Sequence, residues 1–325
     1  MRVKLEHTAE TRSYLRKAPS TGRTVYRVRS HGVFVGLATL DVVYGLPRLP
    51  GSNEKMSADR QTIAAGGPAT GAAVAYAFLG GRPSLVTKLG SHPLSDVVKA
   101  DLRGNGVAVH DTTPEHAGSP PVSSILSTGA HRAVVSVNDA GYPPPDARYP
   151  PRDAVSPGET VSLLEGTSVL VVDGHHADLA VPVATAARAR GIPVLLDAGS
   201  WKPAAAPLLD LSSVVVCSAD FRVPGVEAGD ATLRYLLGRG AEWAAVSAGG
   251  DPVVWASRTA SGRVAVPPTD VVDTLGAGDV LHGALAYGLS TSPGKDVAEL
   301  LADAVAVASR SCRHFGTREW LLAGR

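Results

Sequence analysis

The segment Asp273-Thr274-Leu275-Gly276-Ala277-Gly278-Asp279, continued by Val280-Leu281-His282-Gly283-Ala284, carries the strongest chemical signal in the chain. Small residues open a helix here, so several backbone N–H groups point outward from its N-terminus, the end of partial positive charge. Gly276 and Gly278 present no side chain that would keep an anion away. The amides of Gly276, Ala277 and Gly278 together suit a transferring phosphoryl group. Asp279 falls in the first turn, where a carboxylate can take the proton of an attacking hydroxyl. The competing reading is a helix cap whose Asp only complements the dipole. No Walker A pattern occurs, so the chain is not a P-loop kinase.

Strand ends and helix starts must hold such residues. Gly32-Val33-Phe34-Val35-Gly36 reads as a buried strand. An Ala-rich helix follows over Gly66–Leu79, with Pro68 tolerated in its first turn. Ser84–Lys88 is a strand, and Pro93–Arg103 is an amphipathic helix ended by Gly104. Val122–Leu126 and Ala133–Val137, separated by Ser127-Thr128-Gly129-Ala130, predict a hairpin, and 140–158 reads as a proline-dense loop. The rhythm then becomes regular. Strands at Val169–Val172, Pro193–Leu196, Val214–Val216 and Trp243–Val246 alternate with helices at Ala177–Arg190 and Thr232–Leu237, and helices Ala277–Leu289 and Val297–Arg310 close the chain. Apolar strands alternating with helices predict a three-layer α/β/α sandwich around a mostly parallel sheet with right-handed crossovers. The hairpin at 122–137, with extended chain near 38–48, should form a small β-sheet lid. A single domain over 31–325 is expected.

Composition fits this architecture. Of 325 residues, 44% are hydrophobic but only 5% aromatic, so the core must come from Val, Leu, Ile and Ala. The formal charge of +1, from 31 basic and 30 acidic residues, builds no field for nucleic acid. No apolar stretch reaches the ~20 residues that span a bilayer. Cys217 and Cys312 form no CxxC or metal spacing, which fits a cytoplasmic protein with two small apolar thiols. Residues 1–30 are rich in Arg and lack the apolar run of a secretory signal, so a disordered extension is expected there.

The motif Asp-Thr-x-Gly-Ala-Gly-Asp at 273–279, with Gly66-Gly67 before a helix, resembles the two signatures of the ribokinase-like (PfkB) carbohydrate kinases, over roughly His31 to Trp320. The resemblance implies ATP-dependent phosphorylation of a sugar hydroxyl, with Asp279 as base and the Gly276–Gly278 amides as anion hole. It implies that Asp41 holds substrate hydroxyls, which suits a carboxylate on a loop near a buried strand. Gly66 and Gly67 would pack their backbone against the sugar. Thr274, Ser247, Gly249 and Gly250 would contact the nucleotide. Asp273, the Leu275 carbonyl and the loop around Cys312–Gly316 resemble the potassium site of some relatives.

Two departures stand out. Many relatives carry an asparagine after the di-glycine, but this chain reads Pro68-Ala69-Thr70-Gly71. Ser218-Ala219-Asp220-Phe221 replaces an Asn-x-x-Glu motif that helps organise magnesium. The ketohexokinase and fructokinase-like branch also tends to lose that motif, and His282 leans the same way. Asp197, at a strand end, is the candidate magnesium ligand. Asp173 and His175 are expected to face the cleft, and the His175-His176 pair lacks a third ligand for zinc. Lys202 and Arg132 are weaker candidates for phosphate contact. The edges of an exposed lid leave room for a homodimer. A nucleoside kinase is the alternative, though it would need an aromatic base pocket, and a non-catalytic binding protein is the second.

Overall fold

The computed structural model describes residues 29–129, 131–137 and 156–323. The expected extension up to residue 28 and the proline-dense segment over 138–155 lie outside the described residues. In chain order the strands are β1 (His31–Val35), β2 (Thr39–Gly45), β3 (Arg60–Gly66), β4 (Arg82–Thr87), β5 (Ala108–Asp111), β6 (Val122–Ser127), β7 (Arg132–Ser136), β8 (Thr167–Val172), β9 (Val194–Ala198), β10 (Val214–Ser218), β11 (Trp243–Ala248), β12 (Asp251–Ser257) and β13 (Ser261–Val264). The helices are α1 (Pro68–Phe78), α2 (Pro93–Gly104), α3 (Pro157–Leu164), α4 (Ala177–Ala189), α5 (Ala206–Leu211), α6 (Asp230–Gly238), α7 (Ala277–Thr291), α8 (Val297–Ser311) and α9 (Glu319–Ala323).

The main sheet runs β13-β12-β11-β10-β9-β8-β1-β4-β5, parallel from β11 to β5, with β12 and β13 antiparallel at one edge. Its strands are apolar on both faces, and the period of two sorts them into two cores. Phe34, Val169, Val171, Leu195 and Val216 face α1, α7 and α8. Val33, Val35, Leu170, Val172, Leu196 and Val215 face α4, α5 and α6. The architecture is therefore the expected three-layer sandwich.

The second sheet runs β3-β2-β6-β7. The 122–137 hairpin and the extended segment near 38–48 are both in it. β3 was not anticipated, because Arg60-Gln61-Thr62-Ile63-Ala64-Ala65 has little strand character and is held by seven-residue pairing with β2. The same holds for β5, β12, β13, α3, α5 and α9, whose short patterns give no clear period. Val43 and Ile125 pack this sheet against Phe315 and Leu275, bringing it next to the 273–279 segment.

Candidate active site

Two glycines around the start of α1 make room for two carboxylates. A Cβ at Gly66 would lie 2.0 Å from Asp41 Oδ2, and a Cβ at Gly71 would lie 2.5 Å from Asp279 Oδ2. Asp41 comes from β2 and Asp279 from the first turn of α7. Asp41, Gly66, Gly71, Gly276 and Asp279 line one cleft, which continues to Thr317, Arg318 and Trp320. The helices can approach this closely because Gly283 of α7 sits where a Cβ would meet Ala72 O at 2.3 Å.

The 273–279 segment turns sharply into α7 at Gly276, whose φ of 75° suits glycine. Asp273 holds the turn: Oδ1 accepts the Leu275 N–H and Oδ2 the Gly316 N–H, both at 3.0 Å. The Asp273 N–H donates to Cys312 O at 3.1 Å. The parts of the expected potassium site are thus adjacent. The Ala277 N–H turns back to Thr274 O at 3.2 Å, so one of the three expected hole amides is already engaged. Gly278 has open space where a side chain would point. Thr274 is exposed, and the Arg132 guanidinium lies 3.4 Å from its carbonyl and hydroxyl oxygens.

The electrostatics set Asp279 apart. Its side chain keeps some surface, yet protein crowds it closely. Loss of solvation drives its pKa well above the usual carboxylate range, and the charges of Asp197, Asp41 and Asp173 push the same way, against Arg132. Burial also raises Asp41, opposed by the hydroxyls of Thr39 (2.6 Å) and Ser123 and by Arg318. Burial raises Asp197, opposed by His282 and reinforced by Asp173. A carboxyl held partly toward its neutral form is a functional-site signal.

His282 is buried below the cleft. Its Nδ1 is 2.8 Å from Gly278 O and 3.2 Å from Asp197 Oδ2, and its Nε2 is 3.1 Å from Val216 O. It ties α7 to Asp197 of β9 and Val216 of β10 rather than lining the acceptor cleft. Asp173 is also below the surface, with its carboxylate on the backbone amides of Leu37, Ala69 and His175. His175 is buried as well. Neither side chain lines the Asp41–Asp279 cleft, a departure from the sequence expectation. It arises because Gly36 lets the Asp173 carboxylate fold under the β1 turn.

The family model for "pfkB family carbohydrate kinase" matches residues 30–322. The chain belongs to the pfkB family of carbohydrate kinases. Ribokinase of Bacillus subtilis is 24% identical over 300 residues, covering 87% of this chain and 93% of that protein. Ketohexokinase of Mus musculus is 24% identical over 304 residues, covering 86% and 94%. Among solved structures, Arabidopsis thaliana ribokinase complexed with ribose and ATP superposes with a TM-score of 0.70 at 21% identity, covering 91% of this chain and 98% of that one, and so shares the fold.

Within this pfkB-family fold, the other expected nucleotide residues gather at the ends of β10 and β11. Ser247 is the next-to-last residue of β11, and its carbonyl accepts the Ala219 N–H at 2.8 Å. Gly249, with φ of 58°, and Gly250 form the exposed turn into β12. Ser218 Oγ donates to Gly199 O at 2.9 Å, and Asp220 is exposed. Lys202 borders a second, smaller recess with Asp173, Asp197, Trp201 and Phe221. Among the described residues, no group of three or more His, Cys, Asp or Glu side chains could hold a metal ion. Cys217 is buried, and burial pushes its thiol up to about 12, so it is inert. Sequence reading missed Gly71, Thr39 and Arg318. Gly71 alone left a signal, as an isolated glycine inside a helical run.

Proposed function

We propose that this carbohydrate kinase transfers the γ-phosphoryl group of ATP to a hydroxyl of a small sugar, a ketohexose foremost, with Asp279 as general base. The observation that carries this reading is the pair of carboxylates, Asp41 and Asp279, on either side of the start of α1, next to the first turn of α7. Asp41 would accept hydrogen bonds from acceptor hydroxyls over the Gly66–Gly67 backbone. Asp279 would take the proton of the attacking hydroxyl, and its raised pKa brings it nearer the operating pH, where a base works best. The amides of Gly276, Gly278 and Asp279 would meet the charge that develops on the phosphoryl oxygens. Thr274, Ser247, Gly249 and Gly250 would seat the nucleotide.

Magnesium fits this site as an ion bound mainly by the nucleotide phosphates, because no side-chain cage exists among the described residues and Mg2+ is usually held by one or two carboxylates plus phosphate. Asp197 is the carboxylate proposed to reach it, and it would supply charge neutralisation between the phosphates. Asp273 and the 312–316 loop are proposed to seat potassium. The ketohexose preference rests on the lost Asn-x-x-Glu motif, since the burial of His282 removes that residue as a selector. The small sheet would act as a lid. Its outward face carries Val42, Ile63 and Val135, the last two exposed, which suits a homodimer. A screen of ADP release with ATP and Mg2+, over sugars, sugar acids and nucleosides, tests the reading. Turnover with nucleosides alone would replace the sugar by a nucleoside acceptor, and no turnover with any acceptor would remove the catalytic reading.

A further inference from the structure

Asp173 directly follows β8 with 2% of its surface exposed, and its two oxygens serve three separate segments. Oδ2 accepts the Leu37 N–H at 2.9 Å and the Ala69 N–H at 3.1 Å, and Oδ1 accepts the His175 N–H at 2.8 Å. Leu37 lies in the turn that leads from β1 to Asp41. Ala69 lies in the first turn of α1, just after Gly66–Gly67. His175 belongs to the loop before α4. A buried carboxylate is tolerated only when its charge is met, and three amides meet it.

The surroundings are shaped for this contact. A Cβ at Gly36 would lie 2.2 Å from the Asp173 carboxylate, and a Cβ at Gly67, whose φ is 99°, would lie 2.2 Å from Leu37 O. The Thr70 hydroxyl donates to that same Leu37 O at 2.9 Å. Leu37 is therefore gripped on both sides, its N–H by Asp173 and its carbonyl by Thr70. The Leu37 turn, which leaves the main sheet, and the di-glycine turn, which leaves the small sheet, meet at one carboxylate just past the main-sheet strand β8. The α7 side of the cleft has its own ties, at Asp273 and His282.

We propose that Asp173 is the positioning residue of the acceptor half of the site, anchoring the Leu37 turn and the di-glycine turn, and with them the paired strands β2 and β3, to the main sheet without touching the acceptor. This rests on the kinase reading above, because the acceptor is the sugar proposed there. Replacing the carboxylate by an amide sets an NH2 group against at least one backbone N–H donor and removes the charge that all three amides meet, so the two turns loosen from the main sheet. Acceptor binding then weakens, while the nucleotide half is undisturbed.

The test uses the full chain with Asp173→Asn and, as a milder change on the other side of Leu37, Thr70→Val. Hydrogen exchange of the ligand-free proteins is followed at 36–41 and 66–71, with 247–250 and 274–280 as reference segments, so this arm needs no activity. Steady-state kinetics give KM for the sugar found in the screen and for ATP. Both variants should exchange faster at 36–41 and 66–71 and not at the reference segments. The acceptor KM should rise on the order of 10–100-fold in Asp173→Asn, the size of a lost hydrogen bond to a charged group, and less in Thr70→Val, with ATP KM nearly unchanged. Unchanged exchange at both turns would overturn the proposal. So would a raised acceptor KM in Asp173→Asn with Thr70→Val silent in both readouts, which would mark Asp173 as a direct acceptor contact. If Asp173→Asn does not fold, Thr70→Val decides the matter alone. If no sugar is turned over, the exchange arm still decides whether Asp173 holds the two turns, and only the kinase reading falls.

Discussion

Gly71→Ala is the most direct probe of how the proposed base, Asp279, is placed. The added methyl carbon would sit 2.5 Å from Asp279 Oδ2, 2.6 Å from its Cβ and 2.9 Å from its Cγ, whereas ordinary contact begins at 3.4 Å. The carboxylate must therefore retreat by about 0.9 Å, close to the 1 Å misplacement that costs roughly 10²-fold in rate. Separation of the helices is costly, because it would open the close packing of α1 on α7 at Gly283 and Ala72. Stability moves little. Glycine to alanine inside a helix gains about 1 kcal/mol, and overpacking costs about 1–3 kcal/mol, so the melting temperature should shift by only a few degrees. The assay is turnover with saturating ATP and sugar, beside the melting temperature and ATP affinity. Gly104→Ala is the control, since nothing lies within 4 Å of that position. A folded Gly71→Ala protein with wild-type turnover would refute the reasoning, showing that Asp279 is free to move without cost or is not the base.

Asp279→Asn should lower turnover by roughly 10²–10⁴-fold with ATP binding retained, and wild-type turnover in that variant would leave Asp279 as a helix cap only. The melting temperature of the same variant should rise relative to the wild type as pH climbs through the raised Asp279 pKa. A raised folded-state pKa contributes stability that is fully present below the unfolded value and is lost as pH rises through the folded one, so the gap should open on the alkaline side and close toward acid. Turnover of the wild type should fall as pH drops through the raised Asp279 pKa, at higher pH than for an ordinary carboxylate. Asp197→Asn should move that limb to lower pH, because it removes the first of the charges that raise Asp279; an unmoved limb would separate it from Asp279. Exchange protection of 122–127 and 132–136 should rise with sugar and nucleotide bound, and unchanged protection would remove the lid role.

The parts that sequence revealed are those with a local physical cause. The alternation of apolar runs dictated the parallel sheet, because each strand must fill both faces, and the glycines of 273–279 announced a helix start open to an anion. β3 was hidden because its pairing is tertiary, with Ala64 and Ala65 buried by contacts that no local pattern encodes. The acidic residues show the limit most sharply. Asp41, Asp173, Asp197 and Asp279 look alike in sequence, each near a strand end or helix start, yet the fold gives them different surroundings. Asp173 is surrounded by amides, Asp197 faces an imidazole, Asp41 accepts from a hydroxyl, and Asp279 lies against the bare backbone of Gly71. Backbone donors hold a carboxylate in its charged form, while a crowded position near other carboxylates favours the neutral one. The carboxylate best suited to accept a proton is the one with the fewest donors of its own. Among the described residues Asp279 meets that condition, lying against Gly71, 208 positions away in sequence, so the proposed base could be located from the motif, but its surroundings could be read only from the fold.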